Sequence, residues 1–93
     1  MERTLLAEQD LLKKLASLKG WSRQGTEIRK TLELKDFVRA MGFVNSVALL
    51  AEKLNHHPDI DIRWNKVTLV LSTHSAGGLT DLDISLATMI DAL

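Results

Sequence analysis

Apolar positions recur at helical spacing in three stretches of the chain and alternate with polar ones in four shorter stretches. The longest helical stretch, DFVRAMGFVNSVALLAEKLNHH, opens at Asp36 and carries two apolar stripes. One runs through Phe37, Met41, Val44 and Ala48, the other through Phe43, Val47, Leu50 and Leu54. A helix resting on a single sheet needs only one stripe. The pattern therefore predicts either a fully buried core helix or a helix with one stripe on the sheet and the other on a partner subunit. Gly42 costs about 1 kcal/mol relative to alanine inside a helix, which predicts that something packs closely against it. The helix is expected to stop at Pro58, which cannot extend it and biases His57 away from helical angles.

The other elements follow by the same reasoning. Residues 4–19 predict a first helix, with Thr4 as its N-cap and Leu5, Leu12, Leu15 and Ala16 on one stripe, ended by Gly20. Residues 21–24 and 27–34 predict two strands around Gly25-Thr26, with Ile28, Leu32 and Leu34 on one face and Arg29 and Glu33 on the other. In IDIRW, Ile60, Ile62 and Trp64 alternate with Asp61 and Arg63, and Trp64 is expected to pack. Asn65-Lys66 is the expected turn into VTLVLSTH, where Val67, Leu69 and Leu71 share a face and His74 closes the strand. After the AGGL loop, Thr80 and Asp83 stand at capping-box spacing and open a last helix. The order α-β-β-α-β-β-α predicts a two-layer α+β fold, a four-stranded antiparallel sheet with its helices on one face. No linker, repeat or low-complexity tract interrupts it, so residues 1–93 are read as a single domain.

Composition narrows the function. A 93-residue chain buries roughly 60–65% of the surface its unfolded form exposes, so a second subunit would add useful stability. Twelve basic and 12 acidic residues give a formal net charge of zero, which argues against binding nucleic acid or anionic lipid by charge alone. The absence of cysteine excludes disulfides, thiolate nucleophiles and zinc–thiolate sites. Charges are spread through MERTLLAEQDLLKKL, so it does not read as a signal peptide. No apolar run approaches the ~20 residues that span a bilayer. A soluble, cytoplasmic protein is the expectation.

Candidate chemistry centres on LNHHPDI, where His56 and His57 adjoin the chain's only proline. Glu52 stands four residues before His56, which predicts a shared helix face, and the helix C-terminus favours cationic imidazoles nearby. His74, at a predicted strand end, is the third histidine. Three readings are open: a polar helix end, a zinc site from Glu52, His56 and His74, or a set of general acid/base groups. Histidine suits the last because its ordinary pKa of ~6.5 lies near neutrality. HExxH spacing is missing, as are GxSxG, GxGxxG and the P-loop. Asp83 reads first as a helix cap.

Taken together, AEKLNHHPDIDIRWNKVTLVLSTHSAGGLTDLDISLATMID closely resembles the pterin-4a-carbinolamine dehydratase family. Glu52, His56, His57, Pro58, Trp64, His74 and Asp83 fall at the family's spacing, KDFVRAMGFVNSVALLAEKL resembles its long helix, and Gly20-Trp21 the start of its first strand. The resemblance implies a hydro-lyase that removes water from 4a-hydroxytetrahydropterin to give quinonoid dihydropterin, supporting tetrahydropterin recycling without metal or organic cofactor. It implies a homodimer or homotetramer; some animal members also serve as dimerisation cofactors of a transcription factor, and a purely binding role is the alternative. It implies that His56 and His74 protonate the departing hydroxyl, that His57 holds substrate, and that Glu52 orients His56. Asn55, Ser72, Thr73, Ser75 and Trp64 would join the histidines around the pterin, with Asp83 orienting His74 from behind. Asn55 and Ser75 stand where some relatives carry acidic residues.

Overall fold

The computed structural model describes residues 3–93. In chain order its elements are α1 (Glu8–Ala16), β1 (Ser22–Gln24), β2 (Glu27–Glu33), α2 (Phe37–Leu54), β3 (Asp59–Arg63), β4 (Lys66–Leu71) and α3 (Asp81–Asp91), with a 3-10 turn at His74–Ala76 before α3. This is the expected α+β order. The strands form one antiparallel sheet in the order β1-β2-β4-β3.

Register explains which face is buried. Ile28 lies opposite Leu71 and Leu32 opposite Val67, while Ile62 flanks Val67 from the other side. Directly opposed residues share a face, so alternation along each strand gathers these apolar side chains into one layer. Ile28, Val67, Leu69 and Leu71 are fully buried there, in a core completed by Val47 and Ala51 of α2 and Leu86, Ala87 and Ile90 of α3. Truncating Leu69 to alanine in such a core costs about 2–5 kcal/mol. The opposite face is polar along its centre, where the Thr31 and Thr68 hydroxyls meet at 2.9 Å. Both long-range helix starts are capped as expected. Asp36 accepts the Arg39 N–H at 2.8 Å, and Thr80 and Asp83 form a complete capping box.

Four local expectations are corrected. The first helix starts at Glu8 with Ala7 at its N-cap, not at Thr4, because the Leu6 N–H is bonded to the Leu79 carbonyl at 3.0 Å and holds the preceding segment outside the helix. Its buried residue is accordingly Leu11, while Leu5 and Leu12 are exposed. The β3–β4 turn sits at Trp64-Asn65, one residue early. The Asn65 side chain donates to the Leu34 carbonyl at 2.9 Å and is buried, which swings Trp64 into the left-handed region (φ 53°) and leaves it 69% exposed instead of packed. Among the described residues, and apart from its own helix backbone and chain neighbours, Gly42 has nothing within 4 Å of where a Cβ would stand, so the close packing expected there is not found.

Finally, α2 is not buried all round. Val47 is buried and Phe43, Leu50 and Leu54 pack against the core, whereas Phe37 and Met41 of the other stripe are exposed, as are Val38 and Leu49. Among the described residues no helix is long and apolar enough to cross a membrane.

Candidate active site

The C-terminus of α2 sets the geometry. Asn55 adopts a left-handed conformation (φ 49°, ψ 45°), its N–H bonds to the Glu52 carbonyl, and the His56 N–H reaches back to the Ala51 carbonyl at 3.0 Å. These two bonds are the Schellman closure, in which asparagine takes the position more often held by glycine. The helix therefore stops at Leu54, before Pro58 acts, and the two histidines leave it in different directions. His56 turns inward and is 5% exposed; His57 turns outward.

Inside, the His56 Nε2 lies 2.5 Å from Asp83 Oδ1. The second oxygen of Asp83 accepts from the Thr73 hydroxyl at 2.8 Å and from the Thr80 N–H at 2.9 Å. Since Thr73 gives its single proton to Asp83, the 2.8 Å Thr73–Thr80 contact runs from the Thr80 hydroxyl, whose oxygen in turn accepts the Leu82 N–H. Every polar atom in this buried group thus has a defined role. A carboxylate with no solvent exposure is tolerated only when its oxygens are satisfied in this way. It is an acceptor, so the imidazole nitrogen facing it carries a proton and Nδ1 is the nitrogen left for exchange.

Outside, the His57 Nε2 is 2.6 Å from Glu52 Oε1, both side chains largely in solvent. The pairing expected from sequence is exchanged: Glu52 meets His57 and not His56, because the i,i+4 relation ends where the helix does. Asp83 meets His56 and not His74. His74 is not the end of a strand either. Thr73 bridges to Gly78, the chain doubles back, and His74 opens the 3-10 turn with an exposed imidazole. Among the described residues its ring has no hydrogen-bond partner.

The three histidines nevertheless converge. Asn55, His56, His57, Ser72, Thr73, His74 and Ser75 line one concavity of about 210 Å³, together with Arg3. Ser72 is fixed by its hydroxyl on the Thr26 carbonyl at 2.7 Å. Trp64 is not brought there: it lies at the opposite end of β3 from Asp59, beside the Arg63–Lys66 pair. Sequence reasoning missed Arg3, which has no motif around it, and the Thr80 hydroxyl, whose capping signal concealed its second bond. Among the described residues no three His, Asp or Glu side chains are gathered as a metal ion would require. A larger concavity of about 340 Å³, lined by Ser17, Lys19, Lys30 and Asp91 among others, contains no histidine, and its Lys30 is already tied to Asp91 at 2.9 Å.

The family profile described as Pterin 4 alpha carbinolamine dehydratase matches residues 4–93. The chain belongs to this family. A Roseiflexus sp. (strain RS-1) protein, provisionally named a pterin-4-alpha-carbinolamine dehydratase, is 57% identical over 90 residues, spanning 97% of each chain. A provisionally so-named protein of Nocardia farcinica is 50% identical over 93 residues, spanning all of this chain and 98% of its own. Among solved structures, a Brucella melitensis protein described as a transcriptional coactivator/pterin dehydratase superposes with a TM-score of 0.89 at 39% identity, over 94% of this chain and 95% of its own. A pterin dehydratase-like protein described as a RuBisCO assembly factor of the alpha-carboxysome shares the fold, with a TM-score of 0.63 at 19% identity, over 77% and 83% of the two chains.

Proposed function

We propose that this protein removes water from 4a-hydroxytetrahydropterins to give the quinonoid dihydropterin. The observation that carries this reading is the His56–Asp83 pair, a buried imidazole in the wall of the concavity whose Nε2 is held at 2.5 Å by a carboxylate and whose Nδ1 lies 3.5 Å from Arg3 of the same wall. The reaction breaks the C4a–O bond and the N5–H bond and forms the C4a=N5 double bond. The hydroxyl departs as water after taking one proton from an acid, and the N5 proton goes to a base. His56 is suited to the N5 proton: its Nδ1 accepts, and Asp83 steadies the imidazolium that results, as a carboxylate does behind any orienting histidine. That differs from the hydroxyl-protonating role implied by the family resemblance. His74, unrestrained at the rim, supplies the proton to the hydroxyl. His57, steadied by Glu52, holds the ring, with Asn55, Thr73, Ser72 and Ser75 around it.

The decisive assay follows dehydration of chemically generated 4a-hydroxytetrahydropterin. Wild type is expected to accelerate it, with His56→Ala and His74→Ala each about 10²–10⁴-fold slower. No acceleration over buffer, with both variants behaving like wild type, would sink the reading. Product recycling then needs a separate reductase, and substrate supply a pterin-dependent hydroxylase. The open stripe of α2, with Phe37 and Met41 exposed, supports assembly as a homodimer or homotetramer, which sedimentation would report. The same stripe supports a second reading, a binding or dimerisation cofactor without catalysis, and the dehydration assay divides the two.

A further inference from the structure

Residues 3–7 lie ahead of α1 as a strap across the molecule. The Leu6–Leu79 backbone bond at 3.0 Å pins it, and Leu5 lies so close over Gly78 that an added Cβ there would stand 2.9 Å from the leucine Cδ2. The strap delivers Arg3 to the histidine concavity. One terminal nitrogen of Arg3 donates to the Asn55 carbonyl at 2.7 Å, and the other stands 3.5 Å from His56 Nδ1. The second contact is long for a hydrogen bond, so it fixes position more than it satisfies either group. The remaining N–H groups of the guanidinium have no partner among the described residues, and Arg3 forms part of the concavity wall.

We infer that Arg3 is a specificity-determining residue of this site, donating to the C4 carbonyl of the bound pterin while His56 Nδ1 faces N5. The inference rests on the pterin reading above. On the substrate, O4 and N5–H are neighbours on one edge, the first purely an acceptor and the second a donor. On the protein, an obligate donor and an acceptor stand side by side in the matching order. Arginine cannot accept, and Asp83 holds the proton of His56 on Nε2 and leaves the lone pair on Nδ1, which only the long 3.5 Å approach of Arg3 meets. The two pairs complement each other in only one orientation of the ring, the one that brings N5 to the base. An amino group at C4 would set donor against donor and leave a polar group unpaired at the site wall, an arrangement that discriminates strongly. The Asn55 bond pre-sets the guanidinium, so little side-chain freedom is lost on binding.

Arg3→Ala and Arg3→Lys test this in the full chain, with a 5,6,7,8-tetrahydropterin, which carries the N5–H and is kept reduced under anaerobic conditions, as binding probe and its 4-amino analogue as competitor. Arg3→Ala is expected to raise the probe Kd and the dehydration KM about tenfold, a loss in the range of one charge-assisted hydrogen bond, with kcat changed less than about threefold. Its preference for the 4-oxo over the 4-amino ring should collapse, and Arg3→Lys should recover part of both. A merely structural arginine would leave that preference unchanged. If wild type is active and Arg3→Ala keeps its Kd, KM and preference, Arg3 has no such role and the dehydratase reading stands. If wild type neither binds the probe nor accelerates dehydration, the activity and this role fall together.

Discussion

His56 and His57 are one residue apart, each within 2.6 Å of a carboxylate, and they are in opposite situations. The His56–Asp83 pair is buried on both sides, whereas the His57 and Glu52 side chains are 55% and 77% exposed. The distances alone would rank the two pairs equal. Burial separates them. In solvent an ion pair of this kind contributes about 0–1 kcal/mol, because water competes for both partners. Inside, removing one partner strands the other, at about 3–5 kcal/mol. Asp83 is further committed to Thr73 and Thr80, so the same carboxylate caps α3, ties it to the loop after β4 and fixes the tautomer of His56.

The sharpest way to break this contrast is Asp83→Asn. An asparagine can still accept from Thr73 and Thr80, but its amide then faces His56 Nε2 with a donor. The imidazole must move its proton to Nδ1, and a base becomes a donor in the wrong place. Dehydration is expected to fall by about 10³–10⁴, the range seen when an orienting carboxylate is lost elsewhere, with the ¹⁵N shifts of His56 reporting the changed tautomer. Unchanged shifts together with unchanged activity would remove Asp83 from the mechanism. Glu52→Gln, made at the matching position outside, is expected to leave stability within about 1 kcal/mol in urea titration and to alter KM more than kcat. Between these two lies Asn55, which decides that the histidines part at all. Asn55→Ala forces a Cβ-bearing residue without a compensating side chain into the left-handed region, at about 1–2 kcal/mol, while Asn55→Gly should be tolerated. If alanine were as stable as glycine at this position, the Schellman closure would not be what sets the histidines apart.

What could be read in the sequence divides along the same line. Alternation of Val67, Leu69 and Leu71, the N-cap at Asp36 and the Thr80–Asp83 box are local rules, and each is found in the structure. Arg3 apart, the residues of the concavity were likewise legible, because their spacing resembles a known family. Their partners were not. His56 and Asp83 are 27 residues apart and Arg3 and His56 are 53 apart, and no periodicity links positions across loops of that size. The sequence rule that failed was itself local: i,i+4 spacing assigned Glu52 to His56, and one left-handed residue between them undid it. Trp64 failed similarly, since alternation predicted a packed side chain and the buried amide of Asn65 claimed the turn instead.

A third ion pair sharpens the contrast from the weak side. Arg23 of β1 donates to Glu8 of α1 at 2.5 Å, joining the first helix to the sheet edge. The hydrogen bond from Arg23 holds the Glu8 carboxyl below its ordinary value of 4.5, and Glu8 correspondingly raises the guanidinium above its ordinary value. A carboxyl with a lowered folded-state pKa binds protons less readily than in the unfolded chain. Its contribution is therefore present above the ordinary glutamate value and lost as pH falls through the lowered one. The Glu8 side chain is largely exposed and that of Arg23 about a third exposed, so water competes for the pair and the effect should be small, the smallest of this series, and weakened further by salt. Thermal melts of wild type and Glu8→Gln should differ slightly at pH 7 and converge as the carboxyl protonates in acid. A gap that persists undiminished at low pH would mean that the glutamine disturbs α1 by some route other than its charge.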